Sequence, residues 1–370
     1  MNIVVEELQK GTGSLTVMVK DSIDIQGMKT MVGSKALIAS QPATENAEVV
    51  NRILAADCQI TAKTNLHELA FGITGINQTF GTAINPKYPE LIPGGSSSGS
   101  AAAVAATLAD FTLGTDTGGS IRMPAACCGV YGLKPTFGRI SRQGVHPASS
   151  SLDCVGPFAN SVEMIETAMQ IIDPSFHAQP DLVQKPKLAW LDVQADSMVV
   201  DTIQYYLTQA NIAVDHVTAA SFEQAFDAGM QIINYENWQA YGELTQTGLL
   251  GADVQGRLLK AAATTLVQVQ HAEQVKAKLI AEIDSLLEQY DALLLPTLPQ
   301  LPPKVADAEN TVAFLNLTAL VRPFNLSGHP AISLPLETKE GLPVGLQIVA
   351  KRGADESVCA IAKYLVQTVQ

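Results

Sequence analysis

Basic residues are scarce in this chain. Its 370 residues carry 23 Lys and Arg against 36 Asp and Glu, a formal net charge of −13, and no basic run exceeds two residues. Holding a phosphate backbone takes clustered Lys and Arg, so a nucleic-acid partner is disfavoured. Cysteine is also sparse: Cys58, Cys127, Cys128, Cys154 and Cys359 form an odd set with no CxxC spacing. That argues against a disulfide framework and a zinc site, and for buried thiols in a reducing compartment. No metal and no cofactor is expected. No stretch approaches the roughly 18 apolar residues of a membrane span. No charged segment followed by an apolar one opens the chain. The expected localisation is cytoplasmic, without a membrane partner, and no internal repeat or low-complexity tail is visible.

What is present is globular: 47% of residues are apolar and 16% charged. The length suffices for one large or two ordinary domains with a substantial core. Residues 16–19 are β-prone and end on Lys20. Residues 47–57 place Val49, Val50, Ile53 and Leu54 at helical spacing, and residues 60–63 read as a strand. This βαβ rhythm predicts an α/β fold with a largely parallel sheet covered by helices. Further on, the pattern predicts a helix over 162–172, a strand over 188–193, a helix over 199–210 and a strand over 213–217. Residues 221–290 read as almost wholly helical, with the proline-free 254–289 the longest stretch. Strands follow over 290–297 and 344–350, separated by a proline-rich loop over 296–303 and other segments, and a helix closes the chain over 356–370.

Residues 93–135 carry the strongest signal. A first cluster, Gly94-Gly95-Ser96-Ser97-Ser98-Gly99-Ser100, runs into the alanine-rich residues 101–106, a strong helix former. Its serines therefore sit near a helix N-terminus, where N–H groups are unpaired and the field is positive. A second cluster, Gly114-Thr115-Asp116-Thr117-Gly118-Gly119-Ser120, puts two glycines before a serine. Such a turn aims successive N–H groups at one point, which suits a developing oxyanion. Alone, the first cluster fits a phosphate loop, a linker or a catalytic loop. It lacks the Gly-Lys-Ser/Thr ending of a P-loop and the glycine spacing of a dinucleotide fingerprint, and ordered elements on both sides argue against a linker. None of the six histidines stands in a recognisable triad context; His67 is read as structural ahead of a cleft wall. Without further context Lys20 would read as a solvated lysine.

The segment GTDTGGSIRMPAACCGVYGLKPT closely resembles the core motif of the amidase signature family of serine hydrolases. Residues 15–24, 63–72, 80–86, 324–333 and 341–347 resemble that family's other blocks. The likeness covers about residues 14–160 and 290–352 well and the helical 160–290 loosely, so 1–370 is read as a single amidase domain with a variable substrate-side region. The resemblance implies an α/β/α sandwich around a mixed, largely parallel sheet. It also implies amide hydrolysis through an acyl-enzyme: Ser120 attacks, Lys20 is the base, and Ser96, held by a cis peptide, relays the proton between them. The backbone N–H groups of Thr117, Gly118, Gly119 and Ser120 become the oxyanion donors, with Ser97, Thr115, Asp116 and Arg122 in support and Lys134 structural. Only fourteen residues precede Leu15, where the family carries a longer, mostly helical segment, so that segment is expected to be short or missing.

The substrate is expected to be a small-molecule amide, with no substrate-binding residue assigned. Aligned on its Asn-Leu-x-Gly-x-Pro, the chain has Thr318 where the family's glutamine-hydrolysing component of glutamyl-tRNA amidotransferase carries an aspartate. A hydroxyl cannot pair with an ammonium as a carboxylate does, which disfavours glutamine. Residues 234–241 are either ordinary helix packing or an acyl-pocket wall, and Arg257 is read as an exposed helical arginine ahead of a reader of an acidic substrate end. Open alternatives are a glutaminase-like or ureido-amide-hydrolysing component of a complex and a non-catalytic scaffold; a homodimer or a small partner subunit fits either.

Overall fold

The computed structural model describes residues 1–308 and 311–369. Its strands are β1 (Val4–Lys10), β2 (Thr16–Lys20), β3 (Gln59–Thr64), β4 (Phe111–Asp116), β5 (Tyr131–Lys134), β6 (Cys154–Ala159), β7 (Leu188–Leu191), β8 (Asp215–Val217), β9 (Ala292–Pro296), β10 (Ala331–Glu337) and β11 (Pro343–Val349). They form one sheet in the order β1-β3-β2-β4-β6-β5-β10-β11-β9-β7-β8. The sheet is mixed, as expected, but not largely parallel: among the described residues four of its strand pairings are parallel and six antiparallel. Its parallel ladders lie toward the two ends, β3–β2–β4 and β9–β7–β8. The middle of the sheet is antiparallel, and so is the edge pairing of β1 with β3. The βαβ rhythm of residues 16–64 reports only its own end of the sheet. The central strands enter through loops and hairpins, such as β10–β11, that carry no such rhythm.

The helices are α1 (Glu48–Ala55), α2 (Ser98–Ala105), α3 (Arg122–Cys128), α4 (Val162–Ile172), α5 (Ser197–Gln209), α6 (Phe222–Tyr241), α7 (Ala252–Ala261), α8 (Leu266–Leu287), α9 (Arg322–Ser327) and α10 (Asp355–Val369). Side chains alternate across a strand, and β9 shows where each goes. Ala292 and Leu294 join the apolar cluster that includes residues of α1, α4, α5 and α10, while Leu293 and Leu295 join the one that includes α6, α7, α8 and α9. Both faces are thus covered, which is why β4, β6 and β9 are buried along their whole lengths. The long helical reading of 254–289 breaks at residues 262–265. There Thr265 starts α8 with a capping box, its hydroxyl accepting from Gln268 N–H while the Gln268 side chain accepts from Thr265 N–H. Among the described residues no helix is long and apolar enough to cross a membrane.

Candidate active site

The parallel trio β2, β3 and β4 ends at one side of the sheet, the place where open α/β sheets put their chemistry. Lys20 is the last residue of β2 and is fully buried. By alternation it shares the face of Met18, which packs with Ala102 and Ala103 of α2, while Val17 and Val19 face the opposite core. Lys20 Nζ donates to Ser96 Oγ (2.8 Å) and Thr115 Oγ1 (2.8 Å). Burial lowers its pKa to about 7, against the opposing pull of the Asp153 and Asp116 charges.

The two Gly/Ser clusters meet here. The Gly95–Ser96 peptide is cis. Ser97 Oγ donates to the Thr115 carbonyl (3.1 Å) and accepts from its N–H (3.3 Å), and Ser97 N–H donates to the Ser120 carbonyl (3.3 Å). Ser120 is 9% exposed and lines a small cavity of about 50 Å³ with Thr117, Gly118, Ile233, Glu236 and Arg322 among its walls. Its hydroxyl has no hydrogen bond with any described residue, so it is linked to Ser96 and Lys20 by proximity of loops rather than by a made bond. Catalytic hydrogen bonds commonly tighten only when substrate arrives.

Asp116 organises the turn. Its carboxylate accepts from the N–H groups of Gly119 (2.7 Å), Ile121 (3.1 Å) and Arg122 (3.3 Å), from Arg122 Nε (3.0 Å) and Nη2 (3.0 Å), and from Asn325 Nδ2 (2.8 Å). Burial alone would raise its pKa; the Arg122 guanidinium outweighs this and holds it far below the carboxylate range. One expectation is corrected. The Gly119 N–H donates to Asp116 Oδ1 (2.7 Å), so of the four expected oxyanion donors this one is engaged within the turn, while Thr117, Gly118 and Ser120 line the cavity. Gly119 instead supplies conformation, with φ +113° and Val321 Cγ2 only 2.2 Å from where a Cβ would stand. Thr117 is fixed by Oγ1 donating to Asp153 Oδ1 (2.9 Å), whose other oxygen accepts from Arg142 Nε (2.9 Å).

Other residues singled out in the sequence separate. Lys134 is buried and donates to the Pro135 carbonyl (2.9 Å). His67 is buried with Nε2 3.1 Å from Asp253 and its backbone N–H donating to the Ser96 carbonyl (2.9 Å), and it lines a different cavity from Ser120's. Residues 234–241 lie on α6 and divide: Glu236 and Asn237 line the cavity, while Tyr235, Gln239 and Tyr241 line an adjoining open one that shares Pro147 and Glu236. Arg257 lines the cavity and pairs with Asp253 (3.0 Å), so it is not the exposed arginine expected. Sequence reasoning gave no role to Asp153, Arg142 or Arg322. Arg322 had a signal, since it lies two residues before the matched block at 324–333. Among the described residues no group of His, Cys, Asp and Glu could hold a metal.

The family model described as Amidase matches residues 13–215 and 188–359. The chain belongs to the amidase family. It is 31% identical to Amidase 1 of Oryza sativa subsp. japonica, over 96% of this chain and 90% of that protein. It is 33% identical to a glutamyl-tRNA(Gln) amidotransferase subunit of Symbiobacterium thermophilum, over 94% of this chain and 81% of that one. A crystal structure of an amidase superposes with a TM-score of 0.88 at 31% identity, covering 97% of this chain and 85% of that one. Membership makes this chain a hydrolase of amide C–N bonds.

Proposed function

We propose that this amidase works through Ser120, Ser96 and Lys20. The observation that carries the reading is Lys20: a fully buried lysine, largely stripped of its tendency to stay protonated, bonded to a serine hydroxyl beside an unbonded one. Neutral Lys20 takes the Ser96 proton as Ser96 takes that of Ser120, and Ser120 Oγ forms a bond to the amide carbon. The carbonyl oxygen, now an anion, is met by the N–H groups of Thr117, Gly118 and Ser120; one such donor is worth about 10²–10³ in rate. The proton returns through Ser96 to the leaving nitrogen, releasing ammonia or an amine. Water then cleaves the acyl-Ser120 ester by the same relay.

We read residues 1–370 as one amidase domain, since a single sheet gathers strands from both ends of the chain. Glutamine is disfavoured as substrate. Thr318 is buried and its Oγ1 accepts from Arg322 Nη2 (2.6 Å), so a guanidinium lies where an ammonium reader would need a carboxylate. Five free, buried cysteines support a cytoplasmic setting. A partner protein stays compatible with the likeness to amidotransferase subunits.

The test is fluorophosphonate labelling with ammonia release from a panel of small amides. Ser120→Ala should abolish both and Lys20→Met should reduce both by at least about 10³. Wild-type turnover in Ser120→Ala would end the assignment; no adduct on the native chain would favour a scaffold.

A further inference from the structure

Two arginines are buried near Ser120, and they are treated differently. Every nitrogen of the Arg122 guanidinium has an acceptor: Asp116 on Nε and Nη2, Asn325 Oδ1 on Nη2, and the Val321 carbonyl and Gln347 Oε1 on Nη1. Arg322, at the start of α9 and 2% exposed, has one acceptor among the described residues, Thr318 Oγ1 on Nη2; its Nε and Nη1 have none there. Its Cζ lies 4.3 Å over the Phe226 ring centroid. Among the described residues the carboxylates around it are engaged or distant. Asp253 holds Arg257, Glu236 accepts from Ser150 Oγ (3.0 Å) and Ser151 N–H (2.9 Å), and Asp227 acts only across space from the exposed side of α6.

A buried cation with no counter-ion is costly, and unsatisfied buried donors call for an acceptor. Both open donors belong to a residue lining the same cavity as Ser120. A Cβ on Gly118 would lie 3.3 Å from Arg322 Nε, and Gly118 is two residues from Ser120, so their Cα atoms are at most about 7.6 Å apart. The space is small, about 50 Å³. We propose that the cavity takes a short amide whose acyl chain ends in a carboxylate, the monoamide of a small dicarboxylic acid, with Arg322 Nε and Nη1 holding that carboxylate. This specificity rests on the amidase reading of Ser120.

The test compares kcat/KM for succinamate with that for 4-methylpentanamide, in which an isopropyl group replaces the carboxylate at matched shape. The native chain should prefer succinamate by about 10² or more, because a site built around open donors rejects a ligand that leaves them unpaired. Arg322→Met should bring the ratio to near one, mainly through the KM of succinamate, and Arg322→Lys should keep part of the preference. A native ratio of one or less, or a ratio that Arg322→Met leaves unchanged, overturns the proposal while leaving the amidase reading intact. Failure of that reading looks different: neither amide releases ammonia and Ser120 takes no fluorophosphonate. Succinate then still decides the anion subsite. It should raise the Tm of the native chain and not of Arg322→Met, and equal shifts or none would refute it.

Discussion

If Lys20 is the base, acylation of Ser120 must titrate as Lys20 does. An ordinary lysine, at 10.5, would be neutral in about 0.03% of molecules at pH 7; at the buried value of about 7, roughly half are neutral. Burial thereby raises the working fraction of base by about 10³. The pKa is lowered, so the competent neutral form lies on the alkaline side. The rate of fluorophosphonate labelling should climb about tenfold per pH unit below pH 6, reach half its plateau near pH 7 and flatten above pH 8. Asp153 supplies one of the charges that hold the ammonium form up, so Asp153→Asn should move the midpoint to lower pH. That variant also releases the Thr117 hydroxyl, so its profile is compared with its own plateau. A flat profile from pH 5.5 to 8.5, a midpoint near 10, or an upward shift in Asp153→Asn would refute the reasoning.

Two further outcomes follow from buried contacts behind the site. Lys63 and Asp21 form a buried ion pair at 2.7 Å, with Lys63 also donating to the Lys29 carbonyl and Thr30 Oγ1; Lys63→Met strands the carboxylate and should cost about 3–5 kcal/mol in denaturant unfolding. Burial already pushes the Asp21 pKa up; losing Lys63 raises it further, so protonation should shrink that deficit as the pH falls, and a pH-independent deficit would contradict the account. Gly119→Ala places a Cβ 2.2 Å from Val321 Cγ2 on a backbone at φ +113°, and should lower labelling by about 10² or more. Adding Val321→Ala relieves the clash but not the backbone, so it should restore only part; complete restoration would show that φ is immaterial.

The legible part of this protein is what the chain writes contiguously. Residues 114–120 and 94–100 are local turns, and glycine placement beside serine and threonine reveals a donor-rich loop before any tertiary contact is known. The alternation Val17, Met18, Val19, Lys20 likewise carries the lysine to the strand end and onto the α2 face. The middle of the sheet was not legible, because β5 is only four residues long and the pairings of β10 with β5 and of β6 with β4 join segments separated in the chain. Nor was the loss of the Gly119 donor, since a sequence does not say which of four adjacent N–H groups a nearby carboxylate will claim.

The same distinction separates reaction from specificity. The proposed nucleophile Ser120, its proposed bridge Ser96 and the proposed N–H donors come from two short loops joined through Ser97, so the pattern survives in one dimension. The cavity's far wall is built from α6, α7 and α9, more than 100 residues downstream of Ser120, and is recognisable only when the hydrogen bonds are counted. Arg122 and Arg322 each stand beside a proline-containing motif and look alike in the sequence. Arg122 spends its donors on Asp116, Asn325, Gln347 and a carbonyl, and so fixes a turn. Arg322 keeps Nε and Nη1 buried with no acceptor among the described residues. A folded chain tolerates that cost where a ligand offsets it, so the reading of this enzyme's substrate turns on the second arginine rather than on the motif that announces its chemistry.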